Sequence, residues 1–135
     1  MPGYSVTPLA KKLGIKADFR VALVHVPDDV KAELHDAFAS CEQRSLKSGG
    51  LDFIFLFSQS CSALESEIAQ AAKALAQNGM IWVSWPKKSS GVVADVSEDL
   101  IRKIGINAGL VDIKVCAVTD VWSGLKFVIP VKNRT

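Results

Sequence analysis

The stretch that decides the fold is Gly79-Met80-Ile81-Trp82-Val83-Ser84-Trp85-Pro86-Lys87-Lys88-Ser89-Ser90-Gly91. Met80 to Trp85 is apolar almost throughout, as a strand is when both faces of its sheet are covered. It stops at Pro86 and gives way to two lysines and a small flexible turn. An apolar strand with a polar exit belongs to a parallel sheet clothed by helices, and the flanking sequence carries the units such a sheet needs.

Upstream, Phe19 to Val26 and Leu51 to Ser58 are two further apolar, β-branched or aromatic runs, and both read as buried strands. Between them Asp28 or Asp29 is placed to cap a helix running to about Ser40, with Val30, Leu34 and Phe38 on one stripe. Gln43 to Gly50 is polar and reads as a loop. Ser62 and Glu65 have capping-box spacing, and their helix carries Leu64, Ile68, Ala71, Ala72 and Leu75 before closing at Asn78-Gly79. Downstream, Asp95 and Glu98 have the same spacing ahead of Leu100, Ile101 and Ile104. Val111 to Val118 is a fourth strand, and the short turn at Thr119-Asp120 makes the strand that follows antiparallel to it. At the other end, Thr7 to Gly14 outlines a short helix, with Thr7 as cap, Gly14 as exit, and Leu9 and Leu13 facing inward.

Strands alternating with helices give right-handed crossovers. The expected architecture is a three-layer, Rossmann-like α/β fold with a mostly parallel sheet and a C-terminal antiparallel hairpin. At 135 residues, 1–135 is expected to form one domain, with residues 1–18 as an N-terminal helical arm.

Composition narrows the function classes. A net charge of +2 gives no sign of a nucleic-acid surface. No run approaches the ~20 apolar residues of a membrane span, and Met1-Pro2-Gly3-Tyr4 does not open a signal peptide, so a cytoplasmic protein is expected. Cys41, Cys61 and Cys116 lack metal or redox spacing. There is no H-E-x-x-H motif, no P-loop and no Ser-His-Asp order.

The order of elements from Phe19 onward resembles the C-terminal part of class I methyltransferases. That resemblance implies a glycine-rich loop after the first strand and an acidic second strand. Here the first strand ends Val24-His25-Val26-Pro27-Asp28-Asp29, without glycine. Proline there removes an amide donor. S-adenosylmethionine and nicotinamide dinucleotides are therefore disfavoured, and no cofactor is expected.

Four segments carry a resemblance over nearly the whole chain: Thr7 to Lys16, Ile81 to Lys88, Gly109 to Cys116, and Trp122-Ser123-Gly124-Leu125-Lys126-Phe127. They are similar to a small bacterial family known only as a domain of unknown function. The resemblance implies a bacterial source and supplies no activity.

In open parallel sheets, ligands gather beyond the carboxyl ends of the strands. That edge should collect His25, Asp28, Ser58, Gln59, Trp85, Lys87, Lys88 and Ser90, with Trp122 and Ser123 arriving from the hairpin. The two tryptophan motifs should meet there. Lys87, Lys88 and the Ser89-Ser90-Gly91 turn could hold a small anion, Trp85 or Trp122 could stack on a flat ligand, and His25 could act as a base. The expected function is a non-catalytic ligand-binding or regulatory module. The alternatives are a protein-interaction subunit or homodimer through the hairpin, and an enzyme acting on a small anionic substrate.

Overall fold

The computed structural model describes residues 8–134. The strands are β1 (Arg20–Val24), β2 (Glu42–Gln43), β3 (Leu51–Phe57), β4 (Leu75–Pro86), β5 (Val111–Ala117) and β6 (Trp122–Val128). The helices are α1 (Leu9–Leu13), α2 (Asp28–Glu33), α3 (His35–Ala39), α4 (Cys61–Ala74) and α5 (Glu98–Asn107). The strands form one mixed sheet in the order β2-β1-β3-β4-β6-β5. β2, β1, β3 and β4 run parallel, and β6 is antiparallel to both its neighbours. The sheet is therefore α/β and mostly parallel, as expected from the sequence.

The hairpin folds back with β6 inside and β5 at the edge. Composition explains that choice. β6 brings Leu125 and Phe127, fully buried, to the centre. β5 brings Asp112 and Lys114, which suit an exposed edge and protect it from pairing with another chain.

Alternation along each strand sorts the core into two layers. On one face Ile54, Leu56, Ile81, Val83, Trp85, Leu125 and Phe127 pack against Leu64 and Ile68 of α4 and Ile101 and Ile104 of α5. On the other, Phe53, Phe55, Phe57 and Trp82 pack against Leu9 and Leu13 of α1, Val30 of α2 and Phe38 of α3. The rings of Phe38, Phe53, Phe55, Phe57 and Trp122 form a continuous ladder, with successive centroids 6.3, 5.8, 4.7 and 4.8 Å apart. α1 is tied to the sheet because Trp82 Nε1 donates to the carbonyl oxygen of Leu13 at 2.9 Å.

Several local expectations are corrected. The helix expected from Asp28 to Ser40 is two helices broken at Leu34, and its start is set by Pro27 with no side-chain cap from Asp28 or Asp29. Val30, Leu34 and Phe38 are buried all the same. α4 is capped by Ser60, whose hydroxyl accepts from the Ser62 amide, so the Ser62–Glu65 box does not form. α5 is capped by Ser97, which accepts from the Leu100 amide, in place of Asp95. The loop expected from Gln43 contributes to the short strand β2, because Glu42 and Gln43 pair with β1. Leu75 opens β4 rather than ending α4. Between the Leu51–Leu75 and Phe53–Met80 pairs β4 bulges, and Gly79 sits there against the Leu51 carbonyl, where a Cβ would collide. The cap expected from Thr7 lies outside the described residues.

Candidate functional site

Two clefts open at the carboxyl edge of the sheet. The first, about 450 Å³, is lined by His25, Pro27, Phe57, Ser58, Gln59, Ser60, Ala63, Glu67 and Trp122. It lies over the ends of β1 and β3, between the start of α2 and the first turns of α4, where an open α/β sheet takes its ligand.

His25 follows the last residue of β1 and has φ +57°. A side chain in that left-handed region costs roughly 1–2 kcal/mol, and histidine is, with asparagine and aspartate, among the residues that most often bear it. Its ring reaches α4, where Nε2 donates to Glu67 Oε2 at 2.8 Å. The two ends of this pair differ in setting: the His25 side chain is 68% exposed and that of Glu67 17%. Glu67 therefore holds a carboxylate inside the cleft, with His25 closing over it from solvent. On the far wall Trp122 meets Phe57 edge-on, at 70° between planes. Ser58 is committed, because its hydroxyl donates to the Ser60 carbonyl at 3.0 Å. Gln59 is exposed at the mouth.

The second cleft, about 430 Å³, is lined by Trp85, Pro86, Lys87, Lys88, Val96, Ser97, Glu98, Asp99 and Ser123. It lies at the start of α5. Its lysines face two carboxylates of the α5 first turn, and Glu98 is itself bound by Arg102 at 2.7 Å. Ser90 is satisfied within its own turn, donating to the Lys87 carbonyl and accepting from the Val92 amide. Asp28 is exposed in the first turn of α2 and lines neither cleft.

The ten residues singled out in the sequence thus divide. His25, Ser58, Gln59 and Trp122 share one cleft, Trp85, Lys87, Lys88 and Ser123 the other, and Asp28 and Ser90 line neither. The tryptophan motifs do meet in the backbone, where Pro86 pairs with Trp122 and Trp85 with Ser123. Their side chains leave opposite faces: Trp85 enters the α4–α5 core, and Trp122 packs on the Phe57 side. Glu67 and Phe57 escaped the sequence reading. Ala63 and Glu67 lie one helical turn apart beside the Leu64–Ile68 stripe, which was the available signal.

Asp95, on the segment between the clefts, accepts from the Cys61 amide at 2.7 Å and from the Cys61 thiol at 3.4 Å. The amide bond holds the Asp95 carboxyl below its usual range. The same carboxylate pushes the Cys61 thiol up, away from the thiolate a nucleophile needs. Among the described residues no group of three His, Cys, Asp or Glu is placed to hold a metal, and no helix is long and apolar enough to cross a membrane.

Solved structures with the same fold include several methyltransferases. The TehB-like methyltransferase of Corynebacterium glutamicum superposes with a TM-score of 0.56 at 10% identity, over 94% of this chain and 90% of that one. Precorrin-6y C5,15-methyltransferase of Geobacter metallireducens gives 0.60 at 10%, over 90% and 85%. Magnesium protoporphyrin IX methyltransferase of Synechocystis, solved with bound S-adenosylhomocysteine, gives 0.59 at 12%, over 90% and 78%. At such identities the likeness is one of fold. No curated protein matches the chain in sequence. A family model does match, across residues 10–131, and by it the chain belongs to the proteins of unknown function of the DUF3052 family.

Proposed function

We propose that this protein is a non-catalytic binding module built on a methyltransferase fold, and that its ligand is a small planar molecule, neutral or cationic, held in the His25–Glu67–Trp122 cleft. The observation that carries this reading is Glu67: a largely buried carboxylate, set between an aromatic wall and a histidine held in a strained backbone. Strain of this kind persists where the surroundings enforce it, and it clusters at ligand sites. Trp122 and Phe57 offer ring faces and edges to a flat ligand. The Glu67 carboxylate favours a ligand that donates hydrogen bonds or carries positive charge, and it opposes an anion.

The residues do not fit S-adenosylmethionine in the manner the fold resemblance implies. Backbone would have to approach that cofactor after β1, and there the His25 ring crosses to Glu67 while Pro27 supplies no amide. β2 carries one carboxylate, Glu42 at its start, and Arg44 already occupies it at 2.7 Å, where a free carboxylate for the ribose is implied. The cleft also lacks a poised nucleophile, since Ser58 is bonded to Ser60 and the neighbouring Cys61 thiol is bonded to Asp95.

A thermal-shift series on the full chain tests the reading, using nucleosides, S-adenosylmethionine, acyl-coenzyme A compounds and planar amines. A binder raises the melting midpoint by mass action. The expected result is a shift with a planar neutral or cationic compound that Glu67→Gln and Trp122→Ala abolish and a Lys87→Ala, Lys88→Ala double variant retains. A shift that depends on the lysines and not on Glu67, or turnover of the bound compound, overturns it.

A further inference from the structure

Lys114 and Lys126 are direct partners across β5 and β6. Both side chains therefore leave one face of the sheet, and like charges so placed weaken a ladder. Lys126 also faces Trp82 across β4 and β6, and the Lys114 ammonium stands 5.8 Å from the centre of the Trp82 ring. α1 brings a third lysine to the group. Lys12 Nζ donates to the carbonyl oxygen of Ala117 at 2.9 Å, and Lys12 and Lys114 are the two cations whose charge acts on Cys116. Burial, and after it the charge of Lys114, push the Lys126 ammonium below its usual range.

Among the described residues no carboxylate stands within ion-pair distance of these charges. Every ion pair among the described residues is made by an arginine or a histidine. Folding thus sets Lys12 and Lys114 about Cys116, with Lys126 beside Lys114 and partly desolvated, and gives none of the three an ion-pair partner among the described residues. Water compensates a charge poorly where burial restricts its access.

We propose that Lys12, Lys114 and Lys126 form a binding site for a phosphate-type oxyanion, on the sheet face that α1 covers. An ammonium carries three donors, so Lys12 keeps two after satisfying Ala117, and Lys114 is held in place by the Trp82 ring. A phosphate supplies the negative charge and several acceptors to bridge them. The site shares no residue with either cleft and does not depend on the function proposed for the first. Free phosphate and phosphate borne on a larger molecule present the same chemistry.

Calorimetric titration of the full chain with inorganic phosphate, at constant ionic strength set with chloride, decides it. Saturable binding is expected, weakened by roughly tenfold or more in Lys126→Met, which keeps the stem and removes one charge-assisted contact. Without phosphate, Lys126→Met should melt higher than the wild type, which also shows that it is folded. A Lys87→Met, Lys88→Met variant should bind as the wild type does. Short single-stranded DNA distinguishes the sources. Competition with phosphate assigns the site to polymer-borne phosphate, and indifference assigns it to free or monoester phosphate. No saturable response above the chloride control, unchanged affinity in Lys126→Met, or DNA binding without any response to inorganic phosphate overturns the proposal.

Discussion

The two clefts at the carboxyl edge are nearly equal in volume and stand beside each other, yet they differ in what their charges do. In the second, Lys87 and Lys88 face Glu98 and Asp99, and Glu98 is already held by Arg102. The carboxylates there are answered within the fold, both by Arg102. In the first, Glu67 has His25 as its one partner among the described residues, and His25 is mostly in solvent. A charge satisfied by the scaffold stabilises the scaffold, and one left half-answered inside an aromatic cleft is available to a ligand. A count of charged residues at the edge would have favoured the lysines. The arrangement of partners favours the carboxylate.

The largest expected effect separates the two tryptophans. Trp85 is 7% exposed in the α4–α5 core. Trp85→Ala should cost about 3–5 kcal/mol in chemical denaturation, as large-to-small core changes do. Trp122 is half-buried and its defined partner is the Phe57 ring, so Trp122→Ala should cost about 1–2 kcal/mol. Equal losses would show that Trp122 is a core residue and would remove an aromatic wall from the proposed cleft.

A smaller effect isolates the strain at His25. His25→Gly and His25→Ala both delete the ring and its exposed contact with Glu67, and glycine alone relieves the left-handed backbone. The glycine variant should be the more stable of the two by about 1 kcal/mol, measured by urea unfolding. Equal stability would mean that the backbone at this position is not strained, and the case for an enforced site would weaken.

The smallest effect concerns Asp95, which joins the segment lining the second cleft to the helix that walls the first. Removing the carboxylate in Asp95→Ala takes away what raises the Cys61 thiol. The thiol then titrates nearer its usual value, more thiolate is present at mildly alkaline pH, and alkylation quickens. Peptide mapping after timed iodoacetamide exposure should show faster labelling at Cys61, with Cys41 and Cys116 unchanged as internal references. Unchanged labelling at Cys61 would mean that Asp95 does not control it.

Much of this edge was legible in the sequence. The apolar runs at Phe19–Val26, Leu51–Ser58 and Met80–Trp85 announced buried strands, and Pro27, the polar Ser58-Gln59-Ser60 and Pro86 marked where each would end. His25, Ser58, Gln59 and Trp122 could therefore be assigned to one rim. The lysine cluster was not legible, because Lys12, Lys114 and Lys126 come from three elements and become neighbours only when β6 slides between β4 and β5. The corrected helix caps belong to the same class. Ser97 replaced Asp95 as the cap of α5 because Asp95 is taken up by a contact with Cys61, 34 residues away.

By itself the sequence determined the alternation of strands and helices, the apolar positions and the absence of a glycine loop, all of which follow from local periodicity and backbone sterics. Tertiary structure decided the rest. Neighbouring residues on a strand point to opposite sides of the sheet, and strand order is settled by which strand gains most from burial. Trp85 and Trp122, partners in neighbouring register, were thereby sent to different faces. Glu67 and His25, 42 residues apart, were brought within 2.8 Å of each other.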